Sequence, residues 1–328
     1  MYLGTQGQPA DDDELKVLSQ LGGNHVSSDP PGHWTTWDKQ AFTDHKERLA
    51  TYGIELDISL MPLGSRSAFE NDVSHVFLGP SDERDREIDQ ICTLIEAAGG
   101  AGIRGLRYNI TILGHMRTEP GYGRGGAQLS SFDYSKLDQS LGEFEGGAAD
   151  ADEMWDRIDH FLGRVVPVAE ASKVQLACHP QDPGIGDSLY RGVARVMGTV
   201  EGVKKFIQMH ESPYHGLNFC QGTVSEMLEN PGEKIYDVIR YFGERNKIFN
   251  VHFRNIKGGL GNFVEVFPDE GDIHMIRALK VYKDVGYKYM IMPDHVPGIG
   301  GPDPGKVGFA YTYGYIHAAL QAVEELSQ

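Results

Sequence analysis

Four residues that can bind a divalent metal stand at the ends of short apolar runs in the second half of the chain. They are His179, Cys220, His252 and Asp294, and the run 176–178 before His179 is typical of the set. Their spacing of roughly 30 to 40 residues fits successive strand–helix units in which each ligand ends a strand. Because all strands of a parallel barrel end on one face, the sequence predicts that the four side chains meet at one metal ion.

Each of these residues, taken singly, has an ordinary alternative. A histidine can lie at the surface or in the core, a cysteine can act as a small buried hydrophobe, and Asp294 can cap a helix. Their joint occurrence at the same point of four consecutive units favours a metal site. Two imidazoles, a thiolate and a carboxylate suit Mn²⁺, Fe²⁺, Co²⁺ or Zn²⁺, whereas Mg²⁺ and Ca²⁺ prefer oxygen ligands. An octahedral ion would keep two positions for substrate oxygens, whereas a closed tetrahedral Zn²⁺ would be structural.

Two residues beside the predicted ligands could carry out chemistry. Arg254 follows His252 closely and could bind a substrate carboxylate through two parallel hydrogen bonds; its alternative is a salt bridge to a carboxylate of the barrel. His295 follows Asp294 and is a candidate general acid or base, because imidazole titrates near neutral pH. Its alternative is a supporting contact to the metal ligands. We predict both as catalytic residues.

Other polar residues are candidates for substrate binding. Tyr108 and Asn109 end the fourth predicted strand and His25 ends the second, where each could bind a hydroxyl group or fill the barrel floor. Arg117 lies in a long Gly-rich stretch and could reach the substrate from there. We predict that these four residues bind substrate.

Alternating strands and helices position these residues. The predicted strands are 1–6, 24–28, 54–60, 104–110, 174–179, 216–220, 249–252 and 290–294. The predicted helices are 11–21, 38–52, 82–99, 153–171, 200–209, 234–243, 272–286 and 313–326. Eight such units favour an α/β fold of the closed (β/α)₈ TIM-barrel type over an open doubly wound sheet.

We expect residues 1–328 to form a single domain, with a Gly-rich insertion at about 114–150 after the fourth strand. An insertion of this length is typical of a lid or pocket wall, and its alternative is a surface loop. Neither G-x-G-x-x-G after the first strand nor G-x-x-x-x-G-K-[ST] occurs, so nucleotide-binding folds lack support.

The composition excludes some classes of binding partner and favours one type of cellular compartment. The net charge of −17 argues against nucleic acid and against an acidic membrane surface as the main partner. No apolar run is long enough for a membrane span, and no secretory signal is visible. Three cysteines are too few for a disulfide framework, which favours a reducing compartment. We therefore expect a cytoplasmic enzyme that acts on a small molecule, and we expect it to form a homo-oligomer.

The segments HPQDP (179–183), NFCQG (218–222), VHFRNI (251–256) and MPDH (292–295) resemble the mannonate dehydratase family, the metal-dependent sugar-acid lyases of hexuronate catabolism. The resemblance implies a barrel of the xylose-isomerase-like superfamily. It also implies Mn²⁺ or a similar ion bound by His179, Cys220, His252 and Asp294.

The same resemblance implies that His295 and a tyrosine near the C-terminus transfer protons. Tyr311, Tyr313 and Tyr315 are the possible positions for that tyrosine, and we take Tyr313 as the candidate. Alternate tyrosines are also typical of packing.

Two departures from the family pattern lie at the expected substrate mouth. Val296 stands where the family usually has glycine, and Gln181 stands where it usually has aspartate. The expected function is that of a hydro-lyase, which converts D-mannonate or a related sugar acid to a 2-keto-3-deoxy acid through a metal-stabilised enediolate. The alternatives are a sugar isomerase, epimerase or keto-sugar lyase of the same superfamily, and a sugar-acid-binding barrel without turnover.

Overall fold

Parallel strands connected by helices form the body of the protein, as seen in a computed structural model that describes residues 1–7, 9 and 11–325. The strands are β1 Tyr2–Leu3, β2 Thr5–Gln6, β3 His25–Ser27, β4 Glu55–Leu60, β5 Gly105–Asn109, β6 Gly121–Tyr122, β7 Gln128–Leu129, β8 Ser131–Asp133, β9 Gln175–His179, β10 Leu189–Tyr190, β11 Val193–Ala194, β12 His215–Cys220, β13 Ile248–His252, β14 Asn255–Gly259, β15 Asn262–Val266 and β16 Met290–Met292. The helices are α1 Asp12–Gln20, α2 Lys39–Ala50, α3 Asp82–Gly100, α4 Ala151–Ser172, α5 Val200–Gln208, α6 Gln221–Glu226, α7 Pro231–Gly243, α8 Met275–Asp284 and α9 Pro304–Glu325.

The barrel closes at its first strand, which is split in two at Gly4. One half, β1, pairs with β16, and the other half, β2, pairs with β3. The remaining barrel strands follow in the order β13, β12, β9, β5 and β4. A Cβ atom at Gly4 would lie 2.0 Å from the sulfur of Met290, so a side chain at this position would block the closure. The predicted (β/α)₈ barrel is confirmed.

The helices begin where side chains can bind their free N–H groups. Asp11, Asp38 and Ser81 accept hydrogen bonds from the first turns of α1, α2 and α3. Helix α4 begins with a reciprocal pair in which Asp150 and Glu153 each accept from the other's backbone N–H. These local signals explain why most of the predicted helices agree with the structure to within a few residues.

The last helix differs from its prediction. It begins at Pro304 rather than at Tyr313, and the predicted end at Leu326 lies outside the described residues. The glycines after Pro304 are typical of a loop, but proline is well tolerated in the first turn of a helix. Packing of this helix against α8 and β1 therefore outweighs its weak local propensity.

A small second sheet, missed by the sequence interpretation, covers one side of the barrel mouth. It consists of the hairpin β14–β15 and of β8, which comes from the Gly-rich insertion. Phe263 of β15 pairs with Phe132 of β8, and their rings stack with centroids 5.6 Å apart. The insertion is thus tied to the segment that follows β13.

Within residues 1–7, 9 and 11–325, no helix combines the length and the apolar character that a bilayer span requires.

One buried histidine should make stability depend on pH. His215 is fully buried beside the Phe206 ring, and its Nε2 lies 3.0 Å from the Phe206 carbonyl oxygen. Burial lowers its pKa to about 4, and the charge of Lys247 adds to the effect. Between pH 6.5 and 4 the unfolded chain therefore takes up a proton that the folded chain does not, and stability falls by up to about 3 kcal/mol.

Urea denaturation between pH 7 and pH 4.5 tests this expectation. His215→Gln should be less stable than the wild-type protein at pH 7, but its stability should fall less steeply with acidification. If the free energy of unfolding fell equally steeply with pH in both proteins, His215 would not be the source of the pH dependence.

Candidate metal centre

The structure brings the four predicted ligands together at the mouth of the barrel. One donor atom from each of His179, Cys220, His252 and Asp294 lies within 4.8 Å of every other, and all four residues are buried. His179, Cys220 and His252 are the last residues of β9, β12 and β13, and Asp294 follows β16. Since these strands are parallel, the barrel itself produces the convergence.

Hydrogen bonds orient the two imidazoles toward the shared space. His179 Nδ1 lies 2.6 Å from the Pro180 carbonyl oxygen, so it carries the proton and leaves the Nε2 lone pair open. His252 Nε2 lies 3.1 Å from the Asn218 amide. His252 Nδ1 lies 3.3 Å from Asp294 Oδ1 but is a buried nitrogen without a hydrogen bond. A cation between these residues would satisfy it.

The thiol of Cys220 lies at the first turn of α6, next to several hydrogen-bond donors. The backbone N–H and the hydroxyl of Thr223 donate to the sulfur at 3.4 and 3.2 Å, and Arg254 Nη2 donates at 3.5 Å. Cys220 Sγ also lies 3.6 Å from Asp294 Oδ2, so the sulfur lies directly beside another of the four ligands.

The protonation states of the other ligands also fit a metal. Burial lowers the pKa of His179, which keeps the imidazole neutral at pH 7. Burial alone would raise the pKa of Asp294, but the charges of His295, His252 and Arg254 outweigh it and hold that pKa well below its usual range. A neutral imidazole and a charged carboxylate are the states that coordinate divalent cations. The donor set therefore fits such an ion.

Arg254 lies behind these ligands in a buried network of charges. Its guanidinium contacts Asp182 Oδ2 at 3.0 Å, Glu226 Oε1 at 2.9 Å and Glu265 Oε1 at 2.6 Å. The side chain is only 1% exposed. The salt bridge that the sequence left open as an alternative is what the structure shows, so Arg254 is not a free clamp for a substrate carboxylate.

The pKa values in this network move in opposite directions. Burial and the neighbouring Asp182 raise the pKa of Glu226 well above its usual range. Burial opposes ionisation of Asp182 and Glu265 as well, but Arg117 and Arg254 hold both pKa values below their usual range. Two guanidinium groups thus face three buried carboxyl groups, and protonation of Glu226 would bring the network close to neutrality.

Gly222 leaves the space that Arg254 occupies. A Cβ atom at Gly222 would lie 2.3 Å from Arg254 Nε and 3.0 Å from its Cζ. Because ion pairs hold the guanidinium in place, Gly222→Ala should destabilise the protein by about 1–3 kcal/mol in urea denaturation. The matched control is Gly314→Ala, at an exposed position of α9 where a Cβ meets nothing within 4 Å. It should stabilise the helix by up to about 1 kcal/mol. If Gly222→Ala were as stable as the wild-type protein, the Arg254 side chain would be able to move away from the added methyl group.

His295 borders the pocket above the ligands. Its Nδ1 lies 2.9 Å from Glu265 Oε2, and its Nε2 lies 3.7 Å from Asp294 Oδ1. The charge of Asp294, together with the hydrogen bond and charge of Glu265, raises its pKa to about 9. The side chain is 40% exposed. At neutral pH His295 is thus a protonated imidazole that a ligand in the pocket can reach.

Three acidic residues of this site were missed by the sequence interpretation: Asp182, Glu226 and Glu265. Asp182 stands in the HPQDP segment, which was noted without a role for the residue. Glu265 lies in β15, where the alternation of residues 262–266 after a Gly-rich turn is typical of a hairpin strand and could have indicated it. No local signal marks Glu226, which becomes part of the site only because α6 packs under β14.

The predicted substrate-binding residues of strand β5 and the insertion have different environments. Asn109 borders the pocket. Tyr108 also borders it, but its ring packs against Phe161 of α4 and its buried hydroxyl lies beside the Cys178 thiol. Arg117 is bound to Asp182 at 2.5 Å and to Glu265 at 2.6 Å. Asn109 and Tyr108 thus line the pocket, with the Asn109 amide 3.5 Å from the Leu63 carbonyl oxygen, whereas Arg117 is held by carboxylates.

His25 and Tyr313 lie away from the pocket, which corrects two predictions. His25 begins β3 instead of ending it, so it lies at the opposite end of the barrel, 3.0 Å from Asp57 Oδ1 and stacked on Tyr2. The buried Tyr313 hydroxyl lies 2.6 Å from Thr5 Oγ1. Among the described residues that line the pocket, neither side chain occurs. We no longer assign His25 to the substrate or Tyr313 to proton transfer.

The pocket itself has a volume of about 480 Å³ and opens at the ligands. It adds residues that the sequence interpretation did not single out, among them Gln6, Arg66, Arg107 and His115. Gln6 Nε2 donates to Asp294 Oδ1 at 3.1 Å, which links the first strand to the ligand set.

Solved structures with the same architecture include mannonate dehydratase from Streptococcus suis serotype 2. It superposes with a TM-score of 0.82 at 21% identity, over 100% of this chain and 96% of that one. A xylose isomerase domain protein from Planctomyces limnophilus has a TM-score of 0.63 at 12% identity, over 98% of each chain. At these identities the comparison shows the barrel fold.

Sequence relatives give the family. Mannonate dehydratase from Thermotoga petrophila is 30% identical over 214 residues, which cover 63% of this chain and 58% of that protein. Mannonate dehydratase from Streptococcus uberis is 32% identical over 203 residues, which cover 60% and 55%. The chain thus spans a little over half the length of these curated relatives. The model of the family described as D-mannonate dehydratase (UxuA) matches residues 126–327, more than half of the chain. This chain belongs to the D-mannonate dehydratase family.

Proposed function

We propose that this protein is a metal-dependent hydro-lyase that removes water from D-mannonate or a closely related sugar acid and releases a 2-keto-3-deoxy acid. The observation that carries the proposal is the convergence of His179, Cys220, His252 and Asp294 on one point at the open mouth of the barrel. Membership of the family supplies the reaction.

We propose Mn²⁺ as the ion, with Fe²⁺, Co²⁺ and Zn²⁺ as alternatives that the same donors accept. When bound, such an ion would act as a Lewis acid on substrate oxygens and would stabilise the negative charge that develops as the C2 proton leaves. The neutral His179 and the charged Asp294 are ready to bind it without a change of protonation.

The proposed reaction is an elimination of water across C2 and C3 of the sugar acid. The C2–H bond breaks, its electron pair forms a C2–C3 double bond, and the C3–O bond breaks as the hydroxyl leaves. A proton joins that hydroxyl to give water, and the enol product then becomes the 2-keto acid. No oxidant or reductant is needed.

Two histidines of the pocket suit the two proton transfers. His295 is protonated at neutral pH and can give its proton to the leaving hydroxyl, while its hydrogen bond to Glu265 keeps Nδ1 engaged and Nε2 available. Burial lowers the pKa of His115 to about 4, so its neutral imidazole can accept a proton. The two rings are 6.1 Å apart. Opposite pKa shifts of neighbouring groups are typical of an acid–base pair.

The direct test uses the purified full chain with Mn²⁺ and D-mannonate, and it follows the 2-keto-3-deoxy product over time. Product should form with Mn²⁺ and disappear after removal of the metal with a chelator. Neutral keto sugars of the same length serve as controls for isomerase or epimerase activity. Absence of product from every aldonate tried, while the metal is bound, would end the proposal.

We also propose a cytoplasmic, homo-oligomeric enzyme. The three thiols Cys92, Cys178 and Cys220 form no disulfide with one another, which suits a reducing compartment. Light scattering after size-exclusion chromatography measures the oligomeric state.

A further inference from the structure

Arg107 differs from Arg117 and Arg254, because among the described residues its guanidinium contacts no carboxylate. It lies in β5 and borders the pocket. In the described part of the chain its only hydrogen bond runs from Nε to Ser27 Oγ, at 2.7 Å. Asp29 and Asp294 attract it electrostatically, but neither forms an ion pair with it. Among residues 1–7, 9 and 11–325, the two terminal nitrogens of the guanidinium have no hydrogen-bond partner.

The neighbouring buried arginines, in contrast, have partners for their guanidinium groups. Arg117 and Arg254 are each held by carboxylates. Arg195 donates to three backbone carbonyl oxygens, those of Pro183, Gly114 and Asp182. A partly buried guanidinium without such partners is costly, since it has lost water and gained no counter-charge. An anionic ligand in the pocket would supply the missing charge.

The position of Arg107 places that anion beside the metal ligands. Arg107 is fixed through Ser27, and Ser27 is the register partner of Gln6 in the barrel. Gln6 in turn donates to Asp294. On β5, Arg107 lies two residues before Asn109 and on the same face of the strand. Asn109 is the register partner of His179 on β9. The free nitrogens therefore lie in the wall of the pocket next to the ligand set.

We propose that the Arg107 guanidinium binds the carboxylate of the sugar acid and selects acids over neutral sugars. The inference rests on the proposed function, and it moves the carboxylate clamp from Arg254 to Arg107. A guanidinium with two free terminal nitrogens can hold both oxygens of a carboxylate in parallel hydrogen bonds. A neutral polyol would leave the charge unmatched, so the same residue disfavours it.

Calorimetric binding of D-mannonate to the Mn²⁺-loaded full chain tests the proposal. Arg107→Met keeps the length of the side chain and should weaken binding by about 10- to 100-fold, the usual range for a lost charge-assisted pair. Arg107→Lys keeps the positive charge but lacks the planar guanidinium that can donate two parallel hydrogen bonds, so it should recover part of the affinity. Arg245→Met, at the exposed opposite end of the barrel, should bind as the wild type does. The affinity for Mn²⁺ should be the same in all four proteins.

Stability without ligand separates this role from a structural one. Urea denaturation of unliganded Arg107→Met should show no loss of stability, because the substitution removes an unmatched charge. Stabilisation by D-mannonate should be lost in the variant, whereas D-mannitol should have the same small effect on both proteins. A structural ion pair would give the opposite result, a clear loss of stability without ligand.

The outcomes distinguish this proposal from the proposed function. If the wild type binds D-mannonate in an Arg107-dependent way but forms no product, the clamp stands and the lyase assignment fails. If product forms and Arg107→Met binds D-mannonate as tightly as the wild type, the clamp is wrong and the lyase assignment stands. If the wild type binds no aldonate, both are wrong.

Discussion

His252→Ala should lower kcat/KM for D-mannonate by about a thousand-fold or more, since it removes a ligand that no neighbour replaces. The imidazole is buried between His179 and Asp294, with its ring centroid 5.2 Å from that of His179. Its loss leaves three donors and a gap that only water can fill. Metal content after dialysis, measured by mass spectrometry, should fall together with activity.

The matched control for this substitution is His317→Ala, which removes an exposed histidine from α9. It should retain both metal and activity. Asn218→Ala keeps all four ligands but removes the amide that contacts His252 Nε2 and accepts from Asn250 Nδ2, and it should lower metal affinity by about 10- to 100-fold. Full metal content and full activity in His252→Ala would show that His252 is not a ligand.

Arg254→Met should lower stability by about 3–5 kcal/mol, the usual cost of leaving a buried charge without its partner. The variant keeps Arg117 as the one guanidinium facing Asp182 and Glu265, so one carboxylate is left unmatched. Urea denaturation at pH 7 measures the loss. Arg245→Met, which removes an exposed arginine, should be close to the wild type.

The pH dependence of that loss has a definite sign. In the wild type the pKa of Glu265 lies well below its unfolded value, so its contribution to stability is present above pH 4–5 and disappears as the pH falls further. Without Arg254 that pKa rises, so the carboxylate can be neutralised by protonation at mildly acidic pH. The difference in free energy of unfolding between Arg254→Met and the wild type should therefore be smaller at pH 5 than at pH 7. Wild-type stability together with weak D-mannonate binding would instead mean that Arg254 is the clamp.

The misplacement of His25 has a simple physical origin. His25 and Asn109 both stand near the boundary of a predicted strand, but the first begins its strand and the second ends it. Because β3 has only three residues, the side chain that begins it and the side chain that ends it lie at opposite ends of the barrel. The sequence located this strand to within one residue, but His25 was assigned to the wrong end of it.

Arg254 and Arg107 illustrate a second limit. Both arginines lie in or directly after barrel strands, and both were equally able to bind an anion as far as residue type is concerned. Which one is neutralised depends on Asp182, Glu226 and Glu265, which come from three separate segments. Glu265 reaches the site only because β15 pairs with β8, across more than a hundred residues of chain.

The sequence by itself determined the alternation of strands and helices and, with it, the meeting of His179, Cys220, His252 and Asp294. Local periodicity specifies each strand, and a parallel barrel must carry all its strand ends on one face. The tertiary structure alone decided which charges pair, which arginine remains free and which end of the barrel receives His25. These depend on distances between segments far apart in the chain, and residue types and spacing carry no information about such distances.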